Sequence, residues 1–320
     1  MAMISYHASH EQFSPSELID FVKLAEQAGF TGCHSSDHFH PWSKRQGHSG
    51  YAFSWMGAVM EATRFPCSII TAPGQRYHPA IVAQAIATLA EMYPDRLEVA
   101  LGSGEALNEH ITGARWPEKH IRNQRLLESA NAIRRLLKGY EVNHIGTVVV
   151  HKAKLYTLPK TPPLIMCAAI SAETSYWAGS WADGLLTIYK SEDALIKNIQ
   201  AFYSGGGKNK PIHVQVAFSY ARDASIAQEE AYDQWRSNCL DADDLSNIAT
   251  VEEFDAAAEK VSKEMVLHSI PVSTDLNMFR TLIQNIIRSG ASNVILHNVN
   301  KHQRDFIEDF GKHVLPGLTH

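Results

Sequence analysis

Eight short apolar runs recur along this chain, each followed by a segment with helical spacing, and few architectures accept that rhythm. The runs are Met3 to Ala8, Thr31 to His34, Cys67 to Thr71, Leu97 to Leu101, Leu164 to Ala168, Leu185 to Ile188, Ile212 to Tyr220 and Asn293 to His297. Between them lies helix punctuation. Ser14-Pro15-Ser16-Glu17 supplies an N-cap, a proline at the first helical position and a glutamate three residues after the cap. Leu18, Phe21, Val22, Leu24, Ala25 and Ala28 then repeat at helical spacing up to a stop at Gly29. Further helices are expected over Ser54 to Thr63, Pro79 to Met92, Lys119 to Lys138, Ala172 to Trp181, Asp193 to Tyr203, Leu276 to Ser289 and Gln303 to Val314.

Strand and helix in regular alternation make a parallel α/β fold. Eight repeats in 320 residues fit a closed (β/α)8 TIM barrel better than an open sheet, with residues 1–320 as a single domain. Two segments break the rhythm. Val148-Val149-Val150, β-branched and set between Gly146 and Pro159, suggests an insertion hairpin before strand five. Asp223 to Met265 is polar and helix-rich, an expected helical excursion after strand seven.

Composition narrows the partners. A net charge of −5 and the lack of a dense Lys/Arg run argue against a nucleic-acid surface. No apolar span reaches membrane-crossing length and no leader pattern is present, so the expected location is cytoplasmic. Cys33, Cys67, Cys167 and Cys239 are far apart and read as reduced.

In such barrels the chemistry sits at the C-terminal ends of the strands. Strand two runs into Asp37-His38-Phe39-His40-Pro41-Trp42, where a carboxylate, two imidazoles and two aromatic rings crowd a single turn. His38 and His40 invite a metal reading. Zinc sites need three or more converging ligands, and strands five and six offer only Cys167 and Thr187, so no metal is expected. A lone loop histidine is about as often structural as functional; Glu105, at the end of strand four, tips His38 towards acid/base work. Gly102-Ser103-Gly104 matches the dinucleotide fingerprint only in part, since Leu107 stands at the third glycine position. Its better reading is backbone clearance for a flat or phosphorylated ligand. Glu105 is also well placed as a helix-opening carboxylate. Lys190, after strand six, is a candidate for an anionic group, though most such lysines merely open a helix.

Ser36-Asp37-His38-Phe39-His40-Pro41-Trp42, Arg76-Tyr77-His78-Pro79, Tyr93-Pro94-Asp95-Arg96 and Gly102 to Glu109 closely resemble the deazaflavin-dependent glucose-6-phosphate dehydrogenases of the luciferase-like flavin oxidoreductase superfamily. The resemblance runs over nearly the whole chain and weakens between Asp223 and Met265. It implies that His38 is the base taking the substrate hydroxyl proton, that Trp42 packs by the reaction centre, and that Glu105 handles a proton at the coenzyme ring. It implies that Asp37 contacts the coenzyme and that Lys190 and Lys263 bind a substrate phosphate. A non-prolyl cis peptide behind the ring would fall near Ile69-Ile70-Thr71, making Ile70 and Thr71 cofactor contacts. Where the family has a glycine pair around the coenzyme phosphate, this chain reads Ala168-Ala169-Ile170-Ser171. Ala169, Ile170 and Ser171 would then hold that phosphate, with Ser171 and a helix N-terminus contributing, and FMN stands beside the deazaflavin coenzyme as a candidate cofactor. A homodimer is implied as well.

Three activities stay open at this stage: a dehydrogenase acting on a small alcohol or sugar-type substrate, an oxygen-using flavin monooxygenase, and a non-catalytic flavin-binding protein.

Overall fold

A computed structural model describes residues 2–318. Eight parallel strands close into a barrel: β1 (Met3–Ala8), β2 (Gly32–Ser36), β3 (Cys67–Thr71), β4 (Leu97–Leu101), β5 (Ile165–Ala168), β6 (Leu185–Ile188), β7 (Ile212–Tyr220) and β8 (Asn293–Asn298). Neighbours pair in chain order, β8 pairs with both β1 and β7, and β6 pairs with β7 to complete the ring. Eight helices cover it: α1 (Pro15–Ala28), α2 (Ala52–Ala62), α3 (Pro79–Met92), α4 (Lys119–Leu137), α5 (Ala172–Gly179), α6 (Glu192–Phe202), α7 (Leu276–Arg288) and α8 (Gln303–His313). The sequence boundaries hold to within about two residues at most ends. Ser14 and Glu17 form a reciprocal capping box, and Gly29 ends α1 at φ 96.

Alternation along each strand sorts side chains into two layers. Ile4, Tyr6, Cys33, Val214 and Leu296 face the helices and join the main core, in which Phe218, Phe279, Phe306 and Phe310 pack ring against ring. Each such buried side chain stabilises the fold by roughly 1.5–3 kcal/mol. The other face lines the barrel interior. Ile70, Ala100, Met166, Ala168, Leu186 and Ile295 meet there as a separate cluster drawn from five strands, which only an enclosed lumen permits. The rest of the lumen is polar.

The insertion is the expected hairpin: 142–145 and 149–153 pair antiparallel. Glu128 of α4 staples it, accepting from His144 Nε2 (3.0 Å), Thr147 Oγ1 (2.8 Å) and Val148 N (3.2 Å). The excursion after β7 contains helices Ala224–Trp235, Ala242–Asn247, Val251–Ala258 and Lys263–Ser269. They bury Phe254, Val261 and Val266 together with Leu107 and Val299, and Trp42 packs against this cluster. The excursion therefore roofs part of the barrel mouth. Val272–Ser273 adds a short strand beside β7 that the sequence did not suggest.

One expectation is overturned. No cis peptide bond occurs among the described residues. β3 stays in register with β4 through Thr71 and Leu101, and Gly102 N donates to Thr71 O at 2.9 Å, so an all-trans backbone carries the strand into its loop.

Candidate active site

The strand ends bring one polar network together at the mouth. β2 delivers Asp37 and His38. Asn108, on the short helix Ala106–Glu109, pins the turn that follows: its side-chain oxygen accepts from Phe39 N (2.8 Å) and His40 N (3.2 Å). Two backbone donors on that oxygen orient the amide, so its nitrogen must be the group facing His38 Nδ1 at 3.1 Å. His38 Nδ1 is therefore an acceptor, and the neutral ring carries its proton on Nε2. That nitrogen lies 3.5 Å from Glu11 Oε1.

Glu11, in the loop after β1, is only 4 % exposed. Ser9 Oγ and Ser36 Oγ donate to its two oxygens at 2.8 and 2.9 Å. Burial pushes its pKa up, but the His38 charge and these hydrogen bonds outweigh burial and hold the carboxyl below its usual range. The imidazole thus sits between a buried carboxylate on one nitrogen and an amide donor on the other. Trp42 lies beside it, 5.3 Å between ring centres, backed by Phe254 at 5.2 Å.

His40 goes elsewhere. Its Nδ1 donates to Leu107 O (2.9 Å) and its ring stacks on His110 at 5.3 Å. No group of three or more metal-ligating side chains converges among the described residues.

Asp37 anchors a second cluster. Thr71 Oγ1 donates to Asp37 Oδ2 (2.7 Å), as does Arg76 Nη2 (3.3 Å), while Tyr77 OH reaches Oδ1 at 3.4 Å. Arg76 is almost fully buried and also approaches Glu109, its Nε 3.5 Å from Oε1 and its backbone N donating to Oε2 at 2.6 Å. Burial raises the Glu109 pKa despite that neighbour. Two carboxylates on one desolvated guanidinium make a rigid rim, and removing such a partner typically costs about 3–5 kcal/mol.

Glu105 precedes the short helix without capping it, and Asn108 Nδ2 lies 3.5 Å from its Oε2. Asn108 thereby links His38 to Glu105. Gly104 adopts φ 80, and a Cβ there would press on Glu109 at 3.1 Å; Gly102 is open, its nearest neighbour being Ala168 Cβ at 3.9 Å. Gly102 and Ala168 form a low shelf beside Ile70, and Ser103 follows it half-buried. After β5, Ala169 is buried, Ile170 is 53 % exposed, and Ser171 caps α5 through Thr174 N (3.3 Å). Asn198 holds the Ile170 carbonyl at 3.4 Å.

Neither lysine hydrogen-bonds or pairs with a member of this network among the described residues. Lys263 Nζ is 2.6 Å from Glu229 Oε1, and Lys190 is exposed after β6. Sequence reasoning passed over Glu11, Asn108 and the role of Arg76. Asn108 carried one usable signal, its place three residues after Glu105 in the same motif; Glu11 carried none until β1 and β2 paired.

The sequence model of the luciferase-like monooxygenase family matches residues 2–291. The F420-dependent glucose-6-phosphate dehydrogenase of Tsukamurella paurometabola is 33% identical, covering 98% of this chain and 97% of its own. The enzyme of that name from Mycobacterium avium is also 33% identical at the same coverage. Among solved structures, an F420-dependent secondary alcohol dehydrogenase in complex with an F420-acetone adduct superposes with a TM-score of 0.92 at 29% identity, covering 100% of this chain and 99% of its own. The F420-dependent tetrahydromethanopterin reductase of Methanopyrus kandleri, at 16% identity and a TM-score of 0.78, shares the fold. The chain is an oxidoreductase and belongs to the luciferase-like monooxygenase family.

Proposed function

We propose that this protein is a deazaflavin-dependent dehydrogenase that oxidises a small, uncharged secondary alcohol. The Glu11–His38–Asn108 arrangement is the observation that carries this reading. It offers an imidazole lone pair at Nδ1 to an incoming hydroxyl, and a buried carboxylate to stabilise the imidazolium that results.

The mouth also suits the coenzyme. The shelf of Gly102 and Ala168 beside Ile70 accepts the face of a planar ring, Asp37 with Thr71 and Arg76 offers polar partners at its edge, and Ser171 at the start of α5 would receive its phosphate. Ile170 is too exposed to wall off that backbone. When bound, the coenzyme supplies the carbon that takes the hydride. The chain's own residues do the rest: Trp42 and Phe254 exclude water beside His38, Asn108 holds the ring until the hydroxyl takes its place at Nδ1, Glu11 orients it from Nε2, and Glu105 holds a proton near the coenzyme edge. FMN and an oxygen-dependent reaction are the second reading, carried by the family membership.

The uncharged substrate follows from the lysines. Lys263 is already paired with Glu229, and Lys190 is exposed after β6 without a contact to the His38 cluster, so a phosphate would meet no convergent pair of these lysines there. Glucose 6-phosphate, the substrate named for the curated relatives, is therefore the competitor to a simple secondary alcohol such as 2-propanol. The same reading carries a homodimer, to be checked by light scattering. No helix among the described residues is long and apolar enough to cross a membrane.

Purified protein with the deazaflavin coenzyme, assayed by loss of coenzyme absorbance, should turn over 2-propanol and not glucose 6-phosphate, and should do so without oxygen. His38→Ala should lower kcat by ~10²–10⁴-fold while coenzyme affinity stays within a few-fold. Wild-type-like turnover in that variant would remove His38 from the chemistry.

A further inference from the structure

Where the roof meets the mouth, Gln12 after β1, Gln46 after β2 and Gln234 on the excursion helix Ala224–Trp235 are buried, none more than 4 % exposed. An amide carries two N–H donors and an oxygen acceptor, and burying it unpartnered is costly. Here the partners are present, and they decide which way each amide faces.

The polarity is set by groups that can only accept. Gln234 Nε2 lies 2.7 Å from Asp233 Oδ2 and 3.4 Å from Arg45 O. A carbonyl cannot donate, so the Gln234 nitrogen faces Arg45 and its oxygen faces Gln12. Gln12 Nε2 donates to that oxygen at 3.1 Å and to Val299 O at 2.7 Å. Gln12 Oε1 is left facing His297 Nε2 at 3.3 Å, so the imidazole carries its proton there. His297 Nδ1 is then an acceptor and takes a hydrogen from Gln215 Nε2 at 3.2 Å. Burial holds His297 at about 4 despite the nearby Glu11 charge, so the ring is neutral and has a single proton to place.

Every link donates in the same direction, from β7 through β8 and the first loop to the roof. The lower end of this chain lies in the polar part of the lumen, where His7, His34, His213 and His297 are buried. The His297 ring is 4.2 Å from that of His7, which stacks on His34 at 5.5 Å. Trp235, next to Gln234, sets its ring edge-on to His297 at 5.2 Å.

Gln234 holds the second loop as well. Its backbone carbonyl accepts from Gln46 Nε2 at 3.3 Å, and Gln46 Oε1 accepts from Trp42 N at 2.8 Å. His48 N, from the same loop, donates to the carbonyl of Glu11 at 3.0 Å. Gln12 directly follows Glu11, and Trp42 packs beside His38. The loop carrying Glu11 and the loop carrying Trp42 thus meet at one residue of the roof.

We propose that Gln234 is a positioning residue for the reaction, setting Glu11 against His38 through Gln12 and holding Trp42 beside the same ring through Gln46. What is positioned rests on the dehydrogenase reading; the latch rests on the hydrogen bonds. A fastening role alone would not call for these amides. Arg45 Nη1 already sits 3.0 Å from Asp255 Oδ1, Glu230 accepts from Lys301 N at 2.6 Å, and Phe254, Val261 and Val266 are buried under the roof. Oriented amides add direction, and a fully satisfied buried network specifies one arrangement of the loops that it joins.

The test compares Gln234→Leu, Gln12→Leu, the double variant and Gln234→Glu with the wild type. Single-turnover hydride transfer from 2-propanol is read by coenzyme absorbance, coenzyme affinity by fluorescence titration, and Tm alongside. Gln234→Leu should slow hydride transfer by roughly 10–100-fold, with coenzyme affinity within threefold. The double variant should fall short of the product of the two single losses by at least fivefold, because both singles break the same bond. Gln234→Glu keeps an acceptor for Gln12 but places a carboxylate beside Asp233. Its hydride transfer should stay within fivefold of wild type although its Tm falls. Losses that multiply within twofold, or rates that follow Tm across the variants, overturn the proposal.

A second measurement needs no variant that might misfold, no coenzyme and no substrate. ¹⁵N-histidine NMR of the wild type at neutral pH should show His297 protonated at Nε2; protonation at Nδ1 reverses the chain and overturns the latch. An absence of hydride transfer by the wild type refutes the dehydrogenase reading, and the His297 tautomer still decides the latch.

Discussion

Replacing Glu11 by glutamine is the sharpest test of how the site works. The substitution keeps size, shape and a hydrogen-bonding partner for each of Ser9 and Ser36, and removes only the charge. At 3.5 Å from His38 Nε2, that charge stabilises an imidazolium by about 4–5 kcal/mol at an effective dielectric constant of about 20. The two serines, which donate to the carboxylate in either state of His38, and the slight exposure of the imidazole reduce the differential effect to roughly 2–3 kcal/mol. Glu11→Gln should therefore lower kcat/KM for the alcohol by about 30–150-fold. Coenzyme affinity should be unchanged, because Asp37 and Arg76 are untouched. The assay is steady-state kinetics across pH with a coenzyme titration in parallel. A kcat/KM within threefold of wild type would refute the claim that Glu11 stabilises the charged ring.

Two further outcomes follow from the geometry. Arg76→Met leaves Asp37 and Glu109 buried without their cation, so it should destabilise the protein by roughly 3–5 kcal/mol and weaken coenzyme binding; denaturant melts and fluorescence titration read the two effects. Glu128 holds the hairpin. Burial raises its pKa, but the hydrogen bonds from His144, Thr147, Gln124 and Val148 N prevail and bring it to about 2. A depressed carboxyl contributes stability that is present above its unfolded value and is lost as pH falls through the folded one. The wild type should thus lose Tm between the ordinary glutamate range and about pH 2, and Glu128→Gln should flatten that decline. An equally steep decline in both proteins would show that the staple does not couple to folding.

The architecture was legible in the chain because it rests on local periodicity. Apolar runs, a capping box at Ser14 and Glu17, and Gly29 as a helix stop are each readable within a few residues. The pairing of an apolar run with a helix recurs eight times, a count that fits a closed barrel better than an open sheet. The motif around Asp37 and His38 was legible for the same reason, as was the shelf at Gly102. What could not be read is where partners separated along the chain would meet. His38 depends on Asn108, seventy positions away, and on Glu11, whose position is set by Ser36 on the neighbouring strand. His38 and His40 looked alike in the sequence; tertiary packing turns one towards Glu11 and the other onto His110.

The histidines inside the barrel show the limit most plainly. His7, His34, His213 and His297 were visible as residues within strands. Strands of a parallel sheet are buried on both faces, so no polar alternation marks which side points inward. That choice is made by register: pairing His7 with His34, and Ile295 with Gln215, sets the parity of every strand around the ring. A shift of one residue would turn each imidazole out against the helices. The chain by itself determined the barrel and its reactive turn; the closed sheet decided which groups share the lumen.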